Sequence, residues 1–372
     1  MGDFPRITSL KIDGFKVFDK FEAKLGPLEV IAGANGSGKS SLFDLLRFLR
    51  EGMERDIPPE IIPSGLGMQL FHFPQRPRFR WRVGMVGLSK KDHIYFGALM
   101  GPAGIARILE EGLEVDGGIA NPFPSLIEEG PHKRLSLGLF KEKNAKSTYN
   151  FIKDWSFLSS FNISARHIRR SALVQQEPIL EEDGRNLSSV LHFLFTEHPG
   201  LFEELCSLLR LVLSGFQGLT VKARGGPGEV MAFWREEGVD ADLTLADLSD
   251  GILRFLCWAV LCLHPKPPTL ICIDEPELGL HPRVLPLLAG LFQKASQRTQ
   301  VLIATHSSYF LSQFPLESIA VMRKENGRAV WKKPADSQTL KDILADFGND
   351  EIAHLHISDE LEHFSDELER PA

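Results

Sequence analysis

Residues Gly33-Ala34-Asn35-Gly36-Ser37-Gly38-Lys39-Ser40 fill the pattern G-x-x-x-x-G-K-[ST] at every fixed position. They also stand where that pattern has physical meaning. LEVIA (28–32) before them reads as an apolar strand, and SSLFDLLRFLR (40–50) after them puts Leu42, Leu45, Leu46 and Leu49 on one helical face. A glycine-rich turn between strand and helix lets consecutive N–H groups face one anion, and the helix adds its positive end. Lys39 is then placed to reach the β- and γ-phosphates of a nucleotide, and the hydroxyl of Ser40 to ligate Mg²⁺.

A second element lies far along the chain. TLICI (269–273) is apolar on both faces, as expected of a covered strand, and it ends in Asp274-Glu275-Pro276-Glu277. Acids at the C-terminal end of such a strand lie where open α/β sheets bind ligands. Asp274 is the candidate for holding Mg²⁺ and Glu275 for orienting or deprotonating a water; on their own they would equally be strand-end caps. Leu248-Ser249-Asp250-Gly251 opens a helix over roughly 251–263 and by itself reads as an N-cap. QVLIA (300–304) is a further apolar strand, followed by Thr305-His306-Ser307.

In this order, GANGSGKS, LSDG, IDEPELGLHP and ATHS resemble the ABC-type ATPase heads, closest to the group of RecF, the SMC-like heads and the OLD ATPases. The resemblance implies an α/β P-loop fold with a mixed sheet, an antiparallel β subdomain and a helical lobe. It implies ATP and Mg²⁺ as cofactors, with Gly33 to Ser41 around the phosphates. Ser249, Asp250 and Gly251 would cap the nucleotide of a second protomer in trans, so that two ATPs are sandwiched in a homodimer; Asp250 departs from the glycine of transporter signatures. Glu277–Pro282 occupies the D-loop position, and His306 would sense the γ-phosphate, beside Glu275 and Lys39 as catalytic residues. For the Q-loop, which contacts ATP and metal, Gln176 is the candidate, with Gln175 and Gln75 as competitors. Lys16 and Phe18 are candidates for the adenine side, Phe18 equally for the core. The segment 182–194 resembles the helical lobe of standalone RecF-like ATPases.

These readings divide one head over 1–372 into a discontinuous nucleotide-binding lobe (1–155 and 250–345), a helical and signature lobe (156–249) and an acidic tail (346–372). About 210 residues separate Lys39 from Ser249 without a sustained heptad pattern, so the long coiled coil of SMC proteins is not expected. Fewer than 70 residues follow His306, too few for the Toprim domain of OLD proteins. Smaller elements are expected too: a pairing near 18–25, an irregular stretch at 51–76, an antiparallel sheet from 78–85 and 93–100, a helical block at 187–212, and a hairpin at 218–238.

The net charge of −7 weighs against a chain that coats nucleic acid over its whole surface but leaves room for a basic patch. Arg76, Arg78, Arg80 and Arg82, with Trp81 interleaved, share one strand face; together with Arg166, His167, Arg169 and Arg170 they are candidates for DNA, or simply a solvated face. The four cysteines sit in apolar stretches without metal-ligand spacing and read as buried reduced thiols. No signal-peptide core or membrane-length apolar run is present, so a cytoplasmic protein without a membrane is expected. Three functions stay open: an ATP-gated dimeric switch in DNA repair or anti-phage defence, an ATPase scaffold regulating a partner nuclease or toxin, and the ATPase subunit of a transporter.

Overall fold

A computed structural model describes residues 4–55, 78–100, 107–122, 134–159, 166–348, 350–357 and 361. Most of the irregular stretch expected at 51–76, together with Gln75, Arg76 and most of the acidic tail, lies outside them. β1 (Arg6–Asp13) pairs antiparallel with β2 (Phe21–Lys24), and β3 (Leu28–Ala32) is buried along its whole length. α1 (Lys39–Glu54) runs longer than its leucine pattern alone marked, and buries Leu42, Leu45, Leu46, Phe48 and Leu49. β4 (Arg78–Leu88), β5 (Lys91–Met100), β6 (Arg107–Val115) and β7 (Gly118–Pro122) form a meander. Its Ser89-Lys90 and Asp116-Gly117 turns take positive φ at both central residues, which suits the twist of tight hairpins. α2 (Lys143–Lys153) and β8 (Trp155–Ser159) follow.

Further along come β9 (Ala172–Leu173), α3 (Leu187–Glu197) and α4 (Pro199–Val212). The helical block expected at 187–212 is thus two helices, because Pro199 lacks the N–H that would continue the first and starts the second instead. β10 (Phe216–Ala223) and β11 (Glu229–Glu236) make the expected hairpin, joined by β12 (Leu243–Thr244), and α5 (Asp250–Leu263) follows the signature loop. The chain continues through β13 (Leu270–Asp274), α6 (Leu285–Ala295), β14 (Gln300–Ala304), α7 (Ser308–Leu311), β15 (Ile319–Glu325), β16 (Arg328–Lys332), α8 (Gln338–Phe347) and α9 (Asp350–Ile357).

Two compact units result. The first takes in Met1–Phe157, Thr269–Asp274 and Thr299–Ala372; the second takes in Leu158–Pro268 and Glu275–Arg298. The first is built on two sheets among its described residues: an antiparallel one ordered β2-β1-β4-β5-β6-β7, and a mixed one ordered β16-β15-β3-β14-β13-β8. Within the mixed sheet β15, β3, β14 and β13 run parallel, and β16 is antiparallel. The apolar face of α1 joins Leu10, Trp81 and Tyr95 of one sheet and Ile31, Cys272 and Leu302 of the other in a single buried cluster. Buried Gln300 ties the sheets further: its Oε1 accepts from Ile7 N (2.8 Å), and its Nε2 donates to Ile7 O (2.7 Å) and Gly26 O (2.8 Å).

The second unit carries the sheet ordered β10-β11-β12, with β9 on β11, and α3 to α6. All four cysteines are buried and free. Burial pushes the Cys262 thiol up to about 12, so it stays protonated and unreactive at neutral pH.

Candidate nucleotide site

The parallel register of β3, β14 and β13 brings three motifs to one edge. Ile31 pairs with Ala304 and Ala304 with Asp274, so the residues that follow each strand leave the sheet side by side. From β3 emerges the glycine loop, from β14 Thr305 and His306, and from β13 the carboxylate of Asp274. The last of these connections is direct: Ser40 Oγ donates to Asp274 Oδ2 at 3.1 Å.

The loop itself fits a phosphate chain. Gly33 has φ +143°, and a Cβ there would lie 2.0 Å from Met322 O, so no other residue fits the backbone against β15. α1 starts at Gly38 without a side-chain cap and without an acid in its first turn, which leaves its N–H groups and dipole directed at the loop. Ser37 Oγ is buried with no hydrogen-bond partner among the described residues. Lys39 is only 5 % exposed, and its Nζ donates to the loop carbonyls of Gly33 (2.6 Å) and Ala34 (3.1 Å). A triphosphate would give Ser37 and Lys39 charged acceptors in the same cradle, so the residues present fit it.

Thr305 N donates to Ile31 O (3.1 Å), extending the β14–β3 pairing beyond the strand, and Thr305 Oγ1 accepts from Ser307 N (3.0 Å). These bonds hold half-buried His306 between two pinned residues. On β3, Glu29 forms a buried ion pair with Lys333 (2.6 Å); burial raises its carboxyl above the usual range, and Lys333 opposes this.

The adenine-side candidates are occupied otherwise. Phe18 is fully buried and stacks on Phe15, and Lys16 pairs with Asp44 of α1. Phe18 is therefore a core residue. On β4 the alternation holds: Arg78, Arg80 and Arg82 are exposed, whereas Trp81, at 1 %, packs among Phe48, Phe79 and Tyr95 and is not available to stack on a base. Arg82 is engaged by Glu114 (2.7 Å) and lies over the Phe96 ring.

The other candidates belong to the second unit, which Glu275 re-enters directly after Asp274, with φ +51°. Ser249 caps α5, its Oγ accepting from Ile252 N (3.4 Å). Gln175 is used locally: its N donates to Ser189 Oγ (3.1 Å) and its Oε1 accepts from Asn186 Nδ2 (3.2 Å), while Gln176 is exposed. Arg166 and His167 lie in a 3-10 turn, and Arg170 is exposed. Arg169, a DNA candidate in the sequence, is turned inward instead: its guanidinium binds the signature loop, through Leu248 O (2.8 Å) and Asp250 Oδ1 (2.5 Å). Sequence reasoning missed this, because the partners stand 79 and 81 residues away and no local pattern announces them.

Fold and site together define an ATPase head of ABC type, SMC-like in architecture. Residues 110–312, more than half of the chain, match the family described as "AAA domain, putative AbiEii toxin, Type IV TA system", and the chain belongs to that family. No curated protein matches it at a significant level. Among solved structures it is similar to an Smc head bound to the C-winged helix domain of ScpA, with TM-score 0.60 and 14 % identity over 88 % of this chain and 97 % of that one. It is also similar to an Smc head domain with an extended coiled coil bound to the C-terminal domain of ScpA, derived from Pyrococcus furiosus. There the TM-score is 0.59, with 12 % identity over 92 % of this chain and 100 % of that one.

Proposed function

We propose that the chain binds Mg·ATP at Gly33–Ser41 and hydrolyses it in an ATP-sandwiched homodimer, acting as a switch in DNA maintenance or anti-phage defence. The observation that carries the nucleotide reading is the Ser40–Asp274 contact of 3.1 Å at the mouth of an uncapped helix. A hydroxyl and a carboxylate so placed suit a hard cation, which takes its remaining oxygen ligands from phosphates and water.

In this reading the loop N–H groups and Lys39 neutralise the β- and γ-phosphates, and Ser40 and Asp274 hold Mg²⁺. Glu275 orients and deprotonates the attacking water, and His306 stabilises the γ-phosphate. Gln176, exposed where Gln175 is tied down, completes the metal shell. Ser249 and Gly251 meet the nucleotide of the partner protomer. Phosphoryl transfer asks little covalent chemistry of a protein, so positioning and charge neutralisation supply the rate. Splitting the site between two subunits makes turnover report on assembly, which is what a switch needs.

The test is Glu275→Gln. It should accumulate an ATP-bound dimer with turnover near zero; a variant that stays monomeric with saturating ATP on a sizing column overturns the sandwich.

A second reading, an ATPase that regulates a partner effector without touching DNA, draws on the family's description as a putative toxin of a type IV system and on the net charge of −7. Acids engage Arg82 and Arg169, whereas Arg78, Arg80 and Arg170 are exposed DNA candidates. Salt-dependent binding to duplex DNA with a non-hydrolysable ATP analogue separates the two readings. The third reading, the ATPase subunit of a transporter, is disfavoured by the LSDG variant of the signature and by the SMC-like GANGSGKS loop.

A further inference from the structure

The loop before α5 is held by a side chain that the LSDG motif does not contain. Arg169, three residues before β9, sends Nη1 to three carbonyls at once, those of Leu245 (3.1 Å), Ala246 (3.1 Å) and Leu248 (2.8 Å). Its Nη2 donates to Asp250 Oδ1 at 2.5 Å. Nη1 carries two N–H, so one of them is shared between two carbonyls, and the planar fork lets Nη2 reach Asp250 at the same time. The same loop is closed from below by a capping box: Thr244 N donates to Asp247 Oδ2 (2.8 Å) and Thr244 Oγ1 accepts from Ala246 N (3.2 Å).

Most of this loop faces solvent. Ala246, Asp247, Ser249 and Asp250 are exposed, whereas Leu245 and Leu248, two of the three residues whose carbonyls Arg169 binds, are buried. Arg169 thus satisfies carbonyls at the buried side of the loop and, through Asp250, fixes its exposed side, at a cost in rotamer entropy. The arrangement makes sense for a backbone that must present one shape to a ligand arriving from outside, since preorganisation removes the ordering cost at the moment of contact. A Cβ on Gly251 would lie 2.9 Å from Gly279 O, and Trp258 Nε1 donates to Pro276 O (3.2 Å), so α5 seats directly on the segment after Glu275.

We propose that Arg169 is a positioning residue that locks the signature loop in its binding shape, and that Asp250 serves this intramolecular clamp and not the partner's nucleotide. The proposal rests on the reading of Ser249 and Gly251 as a signature acting in trans. It assigns Asp250 a role that accounts for its departure from glycine: the carboxylate anchors the arginine.

The experiment compares Arg169→Ala, Arg169→Lys and Asp250→Asn, each alone and with Glu275→Gln. Three quantities are read: binding of a fluorescent ATP analogue by dilute monomer, ATP-dependent dimerisation by sedimentation, and amide exchange over 245–253. Arg169→Ala should bind the analogue within twofold of the parent, exchange faster over 245–253, dimerise at least tenfold more weakly, and lose at least tenfold in kcat. Arg169→Lys, which keeps the charge but not the fork, should restore less than half of the lost dimerisation on a logarithmic scale, and Asp250→Asn should fall between. Unchanged exchange and dimerisation in Arg169→Ala overturn the proposal, as does an equal loss of analogue binding in the monomer, which would mark a general folding role. If Glu275→Gln alone stays monomeric, the dimer reading fails and the functional half of the proposal with it, while exchange still decides whether the clamp exists.

Discussion

Replacing Gly33 by alanine isolates the backbone demand of the phosphate loop. The residue has φ +143°, a region closed to side chains, and the added Cβ would stand 2.0 Å from Met322 O, where real Cβ contacts essentially never come closer than 3.0 Å. About 1 Å of movement is needed, and neither side gives easily. Met322 is fully buried in β15, between β3 and β16, and Val321 pairs in register with Ala32, the residue before the loop. Backbone strain of roughly 1–2 kcal/mol and overpacking of about 1–3 kcal/mol sum to roughly 3 kcal/mol or more. Gly36→Ala is the control. Its φ of +77° is also positive, but a Cβ there meets nothing within 4 Å, so only strain of about 1 kcal/mol applies. Urea denaturation followed by tryptophan fluorescence should separate the two variants by about 2 kcal/mol at equal slope. A fluorescent-nucleotide titration should show Gly33→Ala at least tenfold weaker than Gly36→Ala. Equal stability in the two variants would refute the packing account of this loop.

Lys39→Ala removes the cation of the cradle and should weaken ATP binding by about a hundredfold, close to the 1.5–3 kcal/mol of a charged hydrogen bond; calorimetry showing parental affinity refutes the loop assignment. Ser40→Ala leaves Asp274 without its partner at 3.1 Å and should raise the Mg²⁺ concentration needed for half-maximal ATP binding by about tenfold; an unchanged Mg²⁺ titration contradicts the metal assignment. His93 and His264 are both held below the ordinary value of 6.5, chiefly by burial. The unfolded chain therefore takes up protons first as the pH falls through 6.5, and stability drops below that point at up to about 1.4 kcal/mol per pH unit for each group. Melting temperatures at pH 7.5 and 5.5 should differ less in His264→Gln than in the parent, and an identical difference counts against the assignment. Arg78→Glu with Arg80→Glu should abolish ATP-dependent duplex binding if this face meets DNA, and unaltered salt-dependent binding moves the contact elsewhere.

The motifs and the strands that carry them were legible because each is local. The glycine loop, β3, β13 and β14 announce themselves within eight residues or fewer, through an uninterrupted apolar run or a fixed spacing. β6 was not legible, and the reason is Glu111. That residue sits in a buried row of the strand where alternation calls for an apolar side chain. Only the fold reveals what permits it: Tyr95 OH donates to its carboxylate (2.7 Å), as do Ser136 N (2.7 Å) and Leu137 N (3.0 Å). Burial still raises its carboxyl above the usual range. α2, with the mostly polar run KNAKSTYNFIK, gave little periodic signal for the same kind of reason, since it buries a narrow stripe ending in Phe151 and Ile152.

What the sequence alone determined is the chemistry on offer: a phosphate cradle, two acids at a strand end, a histidine after another strand and a signature-type helix start. Hydrogen-bonding loops, caps and strand patterns are set by neighbours a few residues apart, so a linear reading reaches them. Which of these groups meet was decided by tertiary structure. Strand order puts Asp274 against Ser40 across 234 residues, Gln300 reaches Ile7 across 293, and Arg169 leaves a predicted basic patch to grip the signature loop. Each of those contacts joins polar groups that lie far apart along the chain, and nothing near either residue indicates where the other will come from.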